Sequence, residues 1–182
     1  MHHLHLTTPV GTLALTCNSA GKLTRIDWIP VFAKMLDEAP QIPSGVCTVN
    51  RLVQEVHRYF KTGEPMDPEW IVREALETSH WSEFQSRVYR AVISIPHGET
   101  RTYAWVANRL KQPGAGRAVG QALRRNPHLI FVPCHRVVSA GDMGGFMGTV
   151  DPEAPELRFK QSLLGWEHSW LNPTFSFVER SA

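Results

Sequence analysis

Hydrophobic and polar positions alternate along the first 29 residues, and a helical spacing replaces that alternation further on. The alternating stretches are residues 3–7, 12–16 and 22–29. Turn-forming residues separate them, so the pattern predicts a three-stranded β meander. Residues 49–60 carry apolar side chains at helical spacing and Gly63 follows, which predicts a helix. Residues 62–80 show no period, and we expect them to be irregular.

Three more helices are predicted between residues 82 and 125. Ser82 and Gln85 have the spacing of a capping box at the start of the first one. The second begins after Thr102 and the third spans residues 115–125, with a Pro-Gly break between them. Two short helices joined by a tight turn are a helix-turn-helix candidate, although many helical hairpins share that pattern.

These elements predict an α/β protein of two domains. We place the boundary near Ser79, where the irregular stretch ends and sharper patterning begins. The N-terminal sheet-and-helix domain would then span residues 1–79, and a helical domain would span residues 80–182.

Composition narrows the class of protein. The chain has 182 residues, of which 42% are hydrophobic and 20% charged, as is ordinary for a globular protein. No apolar run approaches the ~20 residues of a membrane helix, and no secretory signal opens the chain, so we expect a cytoplasmic protein. Cys17, Cys47 and Cys134 are an odd number without a Cys-x-x-Cys pair, and we expect neither a disulfide framework nor a bound metal.

Positive charge is concentrated in one part of the sequence. Between His97 and Arg136 there are seven Lys and Arg residues and one acid, Glu99. Such a segment favours a polyanionic partner such as a nucleic acid, and a solvated basic surface is the alternative. In the third predicted helix, one face carries Arg117, Gln121, Arg124 and Arg125. The small residues Ala115, Gly116, Ala118 and Gly120 keep much of the helix surface shallow, which would let the helix lie close against DNA.

One cysteine has a reactive setting. The apolar residues 129–132 read as a short buried strand that presents Cys134 at its end, next to His135 and Arg136. A cysteine attacks as the thiolate, and a free thiol with a pKa of roughly 8.5 needs a neighbouring base or cation at neutral pH. A packed core cysteine beside a surface His-Arg pair fits these residues equally well.

A basic helix-turn-helix followed by a reactive cysteine favours chemistry on a flipped-out base. Five motifs occur in order: Phe84-Gln85, Ile95-Pro96-x-Gly98-Glu99-Thr100, Arg117-Ala118-Val119-Gly120, Asn126-Pro127 and Pro133-Cys134-His135-Arg136-Val137-Val138. Through them, residues 81–167 resemble the O6-alkylguanine-DNA alkyltransferases, also called methylated-DNA–protein-cysteine methyltransferases.

The resemblance implies a ribonuclease H-like N-terminal domain and a winged-helix-like C-terminal domain. It implies direct-reversal repair of double-stranded DNA bound through the minor groove, by a monomer without cofactor. The alkyl group of O6-alkylguanine, and of O4-alkylthymine as a further substrate, would pass irreversibly to Cys134 after nucleotide flipping. Each molecule would react once.

The resemblance also implies residue roles. His135 would deprotonate Cys134 through a bridging water, and Glu167 would orient His135. Asn126 would brace the active-site turn, or serve only as a helix stop. Arg117 would fill the space of the flipped base. Tyr103 would crowd the 3′ phosphate, with a plain core position as the alternative. The remaining DNA or substrate contacts are Ala115, Gly116, Ala118, Gly120, Arg124, Val137, Phe146 and Met147.

Two departures from the family pattern stand out. Phe146 and Met147 occupy positions where many relatives have Tyr-Ser or Tyr-x-Gly, so a hydroxyl is missing from the pocket loop. Residues 149–159 are longer than the usual link to the final helix, and their prolines suggest an ordered insert. The altered loop permits a non-repairing alkyl-lesion sensor of the same fold as the alternative. A transcriptional regulator would need a further zinc-binding domain, and a cysteine hydrolase would need no basic face.

Overall fold

The computed structural model describes residues 1–30 and 47–171 and has an α/β fold. The predicted meander is confirmed as an antiparallel sheet with its strands in chain order. The strands are β1 (His2–Thr8), β2 (Gly11–Cys17) and β3 (Leu23–Ile29). Leu13, Leu15 and Cys17 alternate along β2 with more exposed residues and point into the core, as the period of two requires.

Helix α1 (Cys47–Thr62) confirms the helix predicted over residues 49–60. Its apolar stripe, including Leu52, Val56 and Tyr59, is buried in the core. Gly63 ends the helix with φ +68°, and its N–H donates to the carbonyl of Tyr59. The left-handed backbone there favours glycine, and the ring of Trp170 occupies the space that a side chain would need.

The expectation of an irregular stretch over residues 62–80 is wrong in part. A short helix α2 (Pro68–Trp70) continues into a π-helical turn (Ile71–Ala75). Asp67 caps α2 by accepting from the backbone N–H groups of Glu69 and Trp70, and Pro68 stands at the first helical position. Asp67-Pro68 is a helix-start signal in the sequence, but the residues after it show no helical period, so no helix is predicted there.

The C-terminal helices were correctly predicted. Helix α3 (Glu83–Ile93) begins with the complete Ser82–Gln85 capping box. Helices α4 (Tyr103–Arg109) and α5 (Gly116–Arg124) pack on each other and on α3 and form the helical hairpin. Short parallel strands β4 (Arg101–Thr102) and β5 (Val137–Val138) join the start of α4 to the segment after Cys134. Helix α6 (Pro155–Leu171) completes the described chain.

The strand predicted over residues 129–132 is wrong. These residues are buried, but they form turns, with hydrogen bonds from Phe131 N–H to Leu129 O and from Val132 N–H to His128 O. Ile130 has φ +71°, which no strand contains. Burial alone made this run resemble a strand, whereas a strand also needs a partner, and none runs beside it in the described chain.

Hydrogen bonds cross the expected domain boundary near Ser79, which remains a prediction. The N–H of Ile26 on β3 donates to the carbonyl of Pro127 over 2.7 Å. Nε2 of the fully buried His128 lies 2.9 Å from the carbonyl of Leu23, so Nε2 carries the proton. No helix within residues 1–30 and 47–171 is long and apolar enough to cross a membrane.

His128 makes stability depend on pH. Burial lowers the pKa of its imidazole to about 4 from the ordinary 6.5, although the Leu23 carbonyl and Glu77 oppose that shift. As pH falls through this window the unfolded chain binds a proton that the folded chain does not, so the free energy of unfolding decreases. Below about pH 4 His128 contributes no further loss.

We therefore expect urea unfolding to show a weaker loss of stability between neutral pH and about pH 4 in His128→Gln than in the wild type. The glutamine amide keeps an N–H for Leu23 but does not titrate. Identical slopes in the two proteins would contradict the assignment of this pH dependence to His128.

Candidate active site

A cavity of about 390 Å³ lies where α4 and α5 meet the turn that carries Cys134 and the loop 145–150. Its lining includes Tyr103, Gly116, Arg117, Gly120, Arg124, Cys134, Phe146 and Met147, all of them predicted site residues. The other predicted residues, which are Ala115, Ala118, Asn126, His135, Val137 and Glu167, lie outside that lining.

Helix α5 presents its small and basic residues to the cavity side. Arg117, Ala118 and Arg124 are exposed, and Val119 is buried against the rest of the fold. A Cβ added to Gly116 or Gly120 would meet Tyr103 only at 3.7–3.8 Å, an ordinary contact distance. Packing within the protein therefore does not require glycine at either position, and their smallness leaves the cavity wall open.

The basic surface is smaller than the sequence indicated. Arg136 was counted in it, but its side chain is buried and paired with Glu167 at 2.8 Å. An unpaired guanidinium would be costly to bury, so the acid at 167 and the arginine at 136 enter the core together. Arg117 and Arg124 remain exposed on α5, as does Arg125 directly after it.

Cys134 opens a short 3₁₀ turn (Cys134–Arg136) and lies in the cavity wall with 5% of its surface exposed. Asn126 Nδ2 lies 3.2 Å from its sulfur and donates to the carbonyl of Val132 over 2.9 Å, so Asn126 both ends the α5 segment and braces the turn. Burial raises the pKa of the thiol, and the Asn126 N–H and the Lys160 charge oppose that rise. The resting side chain is a thiol.

His135 lies behind this turn as a buried neutral base. Its Nε2 is 2.8 Å from Glu167 Oε1, and because an ionised carboxylate only accepts, Nε2 must carry the proton. Nδ1 then holds a lone pair, and within the described chain this buried atom has no hydrogen-bond partner. Burial lowers the pKa of His135 while Glu167 raises it, with the net effect downward.

Among the described contacts, no side-chain hydrogen bond joins the Cys134 sulfur to the His135 ring, although a backbone hydrogen bond from His135 helps to oppose the rise in the pKa of the thiol. The two residues are consecutive in the 3₁₀ turn. A water molecule or a substrate atom is needed to carry a proton between the sulfur and Nδ1.

Glu167 is the centre of the buried polar cluster. It is fully buried and accepts from Tyr59 OH at 2.6 Å, from Gly98 N–H at 2.9 Å and from both Nε and Nη2 of Arg136. Burial opposes its charge, but His135 and Arg136 hold its pKa far below the ordinary range. The carboxylate is therefore ionised at neutral pH.

Lys160, to which the sequence patterns assign no role, lies on α6 beneath the cavity loop. Its fully buried ammonium donates to the carbonyls of Val137, Met143 and Gly145 at 2.7, 2.6 and 3.3 Å. Burial lowers its pKa to about 8. A lone lysine on the apolar face of a helix was the available signal. The Val137 carbonyl, expected at the guanine edge, already accepts from this ammonium.

The altered loop forms a tight hairpin at the cavity. Phe146 and Thr149 exchange two backbone hydrogen bonds of 3.0 Å, and Met147 and Gly148 have φ of +50° and +96°. The Phe146 ring is buried, with its centroid 6.0 Å from that of the Phe159 ring. Met147, which also lines the cavity, is more open, and 40% of its surface is exposed. Tyr103 OH donates to the carbonyl of Gly145, so Tyr103 is a wall residue rather than plain core.

The insert predicted over residues 149–159 is wrong in part, because residues 155–159 are the first residues of α6. The start of this segment contributes to the cavity. Thr149 and Val150 line it, and α6 already begins at Pro155. A hydrogen bond from Ala154 N–H to Asp151 O closes the turn before the helix. Within residues 1–30 and 47–171, no cluster of His, Cys, Asp and Glu side chains could hold a metal ion.

Comparisons with known proteins match this arrangement. Residues 83–169 fit the family model described as 6-O-methylguanine DNA methyltransferase, DNA binding domain. The methylated-DNA–protein-cysteine methyltransferase of Mycolicibacterium paratuberculosis is 49% identical over 87 residues, covering 47% of this chain and 48% of that protein. The enzyme of that name from Methanosarcina mazei is 45% identical over 84 residues, covering 46% and 53%. The matched segment thus spans about half the length of these curated relatives.

Structural similarity extends over nearly the whole chain. The crystal structure of Mycobacterium tuberculosis OGT in complex with DNA superposes with a TM-score of 0.67 at 30% identity, covering 93% of this chain and 94% of that one. The α/β fold of the two halves is therefore shared, and not only the segment around the cysteine. On these grounds the chain belongs to the O6-methylguanine-DNA methyltransferase family.

Proposed function

We propose that this protein repairs O6-alkylguanine in double-stranded DNA by moving the alkyl group to Cys134. The observation that supports this most is the position of the thiol, in a cavity bordered by the arginine-bearing helix α5. A base inside a duplex cannot reach a buried sulfur, so the nucleotide must flip into the cavity. The guanine stays in the DNA, and the protein keeps the alkyl group.

The reaction is an in-line displacement at the alkyl carbon. The sulfur–carbon bond forms as the carbon–O6 bond breaks, and O6 becomes the carbonyl oxygen of guanine. The thiol proton passes through a water to Nδ1 of His135, and the ionised Glu167 stabilises the imidazolium that results. A thioether is stable, so the protein is consumed by one turnover and needs no cofactor.

The finer features of the proposal follow the family pattern. Helix α5 would enter the minor groove with Ala115, Gly116, Ala118 and Gly120 against the backbone, and Arg124 would contact phosphate. The protein would act as a cytoplasmic monomer, with O4-alkylthymine as a second substrate. The two halves, divided near Ser79, would be ribonuclease H-like and winged-helix-like.

A non-repairing lesion sensor is the second candidate, and the pocket loop favours it. Phe146 lacks the hydroxyl that a tyrosine would direct at guanine, and Met147 narrows the mouth. Cys134 favours repair, because a sensor needs no nucleophile. Intact mass after mixing with a duplex containing one O6-methylguanine separates the two.

We expect one methyl group to be added per protein molecule, on the peptide that contains Cys134. In Cys134→Ala the transfer should be abolished while binding of the damaged duplex is retained, because the change removes the sulfur but leaves α5 intact. Tight lesion binding by the wild type without mass gain would establish the sensor. Transfer by the alanine variant would refute Cys134 as the nucleophile.

Arg117→Ala separates flipping from chemistry. The exposed arginine would fill the gap left in the stack, so its loss should slow methyl transfer from the duplex by about tenfold to a hundredfold, or 1–3 kcal/mol. Reaction with free O6-benzylguanine should change little, because nothing has to be flipped. Arg109→Ala, on the neighbouring helix α4, is the matched control for loss of one positive charge. Equal slowing on both substrates would exclude a flipping role for Arg117.

Asn126→Asp tests the thiol environment. The substitution keeps the size of the side chain but replaces the N–H beside Sγ with a carboxylate oxygen, so the pKa of Cys134 should rise further. Alkylation by iodoacetamide, followed by peptide mass against pH, should show the Cys134 curve displaced to higher pH. The Cys17 peptide is the internal control, since burial already raises its pKa to about 11 and the Asn126 side chain has no contact with it among the described hydrogen bonds. An unmoved Cys134 curve would contradict the role of Asn126.

A further inference from the structure

Helix α1 reaches the catalytic cluster through a single hydroxyl. Tyr59 is buried on α1, 108 residues before Glu167 in the chain, and its OH donates to Glu167 Oε1 over 2.6 Å. The same oxygen accepts from His135 Nε2 over 2.8 Å. Tyr59 and His135 therefore share one acceptor atom.

Sharing one oxygen makes the two hydrogen bonds compete. A donor on a carboxylate oxygen draws negative charge away from the other donors on that oxygen. With Tyr59 in place, Glu167 stabilises the imidazolium of His135 less than it otherwise would. Arg136 donates to both carboxylate oxygens, from Nη2 to the shared Oε1 over 2.8 Å and from Nε to Oε2 over 3.0 Å, and Gly98 N–H donates to Oε2. The Tyr59 hydroxyl is thus the uncharged donor on Oε1 that a substitution can remove without disturbing the ion pair.

From this geometry we infer that Tyr59 is a positioning residue for alkyl transfer, which sets the basicity of His135 through Glu167. The part of this inference that concerns alkyl transfer rests on the proposed function, whereas the effect of Tyr59 on the pKa of His135 does not. It gives the N-terminal half of the chain a part in the chemistry, since α1 belongs to residues 1–79.

Several other groups act on the same imidazole and must stay constant in a test. The charged or titratable side chains that act on His135 and Glu167 from the packed elements are Tyr59 on α1, His97 after α3, Arg136 in the 3₁₀ turn and Lys160 on α6. His97 Nδ1 lies 3.8 Å from Glu167 Oε1, outside hydrogen-bond distance. Tyr59→Phe removes one hydroxyl and leaves the other three side chains as they are.

The experiment compares Tyr59→Phe with the wild type. The ring keeps its packing against Phe60 and His97, and the hydroxyl alone is lost. We expect His135, observed by NMR of ring-labelled histidine, to titrate at higher pH. The acidic limb of the methyl-transfer rate against pH should move the same way, with a rate on that limb lower by about tenfold for a one-unit change in pKa.

Tyr89→Phe is the matched control. Tyr89 is also fully buried, and its OH donates to the carbonyl of Ala122 over 2.9 Å without touching Glu167. It should lose comparable thermal stability without moving the His135 titration or the acidic limb. If both variants slow transfer uniformly and neither moves the limb, Tyr59 is only structural and the inference is wrong.

A fluorinated tyrosine at position 59 covers the case in which the phenylalanine variant does not fold. Its more acidic hydroxyl donates more strongly, so His135 should titrate at lower pH than in the wild type. The NMR titration needs no alkyl transfer. If the variants move the pKa of His135 but the protein transfers no methyl group, the proposed function is wrong and the coupling between Tyr59 and His135 is confirmed. If the protein transfers the methyl group and the variants leave the pKa of His135 unchanged, the proposed function is confirmed and the coupling is wrong.

Discussion

The buried carboxylate of Glu167 is the constraint on which the interior depends. Removing a charge from water costs several kcal/mol unless hydrogen bonds and an opposite charge replace the solvent. In this protein the hydrogen bonds that replace water come from three segments: α1, the turn after α3 and the 3₁₀ turn each direct a donor at the Glu167 carboxylate. The segments that carry these donors cannot shift independently, because any gap would expose an uncompensated anion in the core.

The buried Glu167 carboxylate also determines the protonation state of its neighbour His135. Glu167 fixes the tautomer of His135, and the tautomer decides which nitrogen can act as a base. Lys160 and Asn126 then act on Cys134 from other directions, so the thiol rests protonated but within reach of activation. A resting thiol fits the proposed single-turnover transfer, because a permanently ionised sulfur would react with any electrophile.

Local patterns predicted most of the fold because each reports one period and one buried face. The meander, α1 and the capped helix α3 are cases of this kind. Residues 129–132 failed because burial does not distinguish a strand from a buried turn. Arg136 was assigned to the surface because isolated arginines usually lie there, and its acid partner is 31 residues away.

The candidate site was also predictable from the sequence only in part. The cysteine, the basic helix and the small residues of α5 carried signals in the sequence, and the family resemblance supplied the roles of His135 and Glu167. Tyr59 carried no signal, since a tyrosine on the buried face of a helix looks like core. Its partner became visible only when the chain was folded.

Lys160 has a consequence for how this pocket can diverge. The ammonium holds the loop through three main-chain oxygens, at residues 137, 143 and 145, so these contacts do not involve the side chains at positions 146 and 147. Exchange of the exposed Met147 side chain would leave these contacts in place, whereas the Phe146 ring is buried near Phe159. Changes at position 147 would thus alter the lining of the cavity while the hydrogen bonds behind Cys134 stay the same.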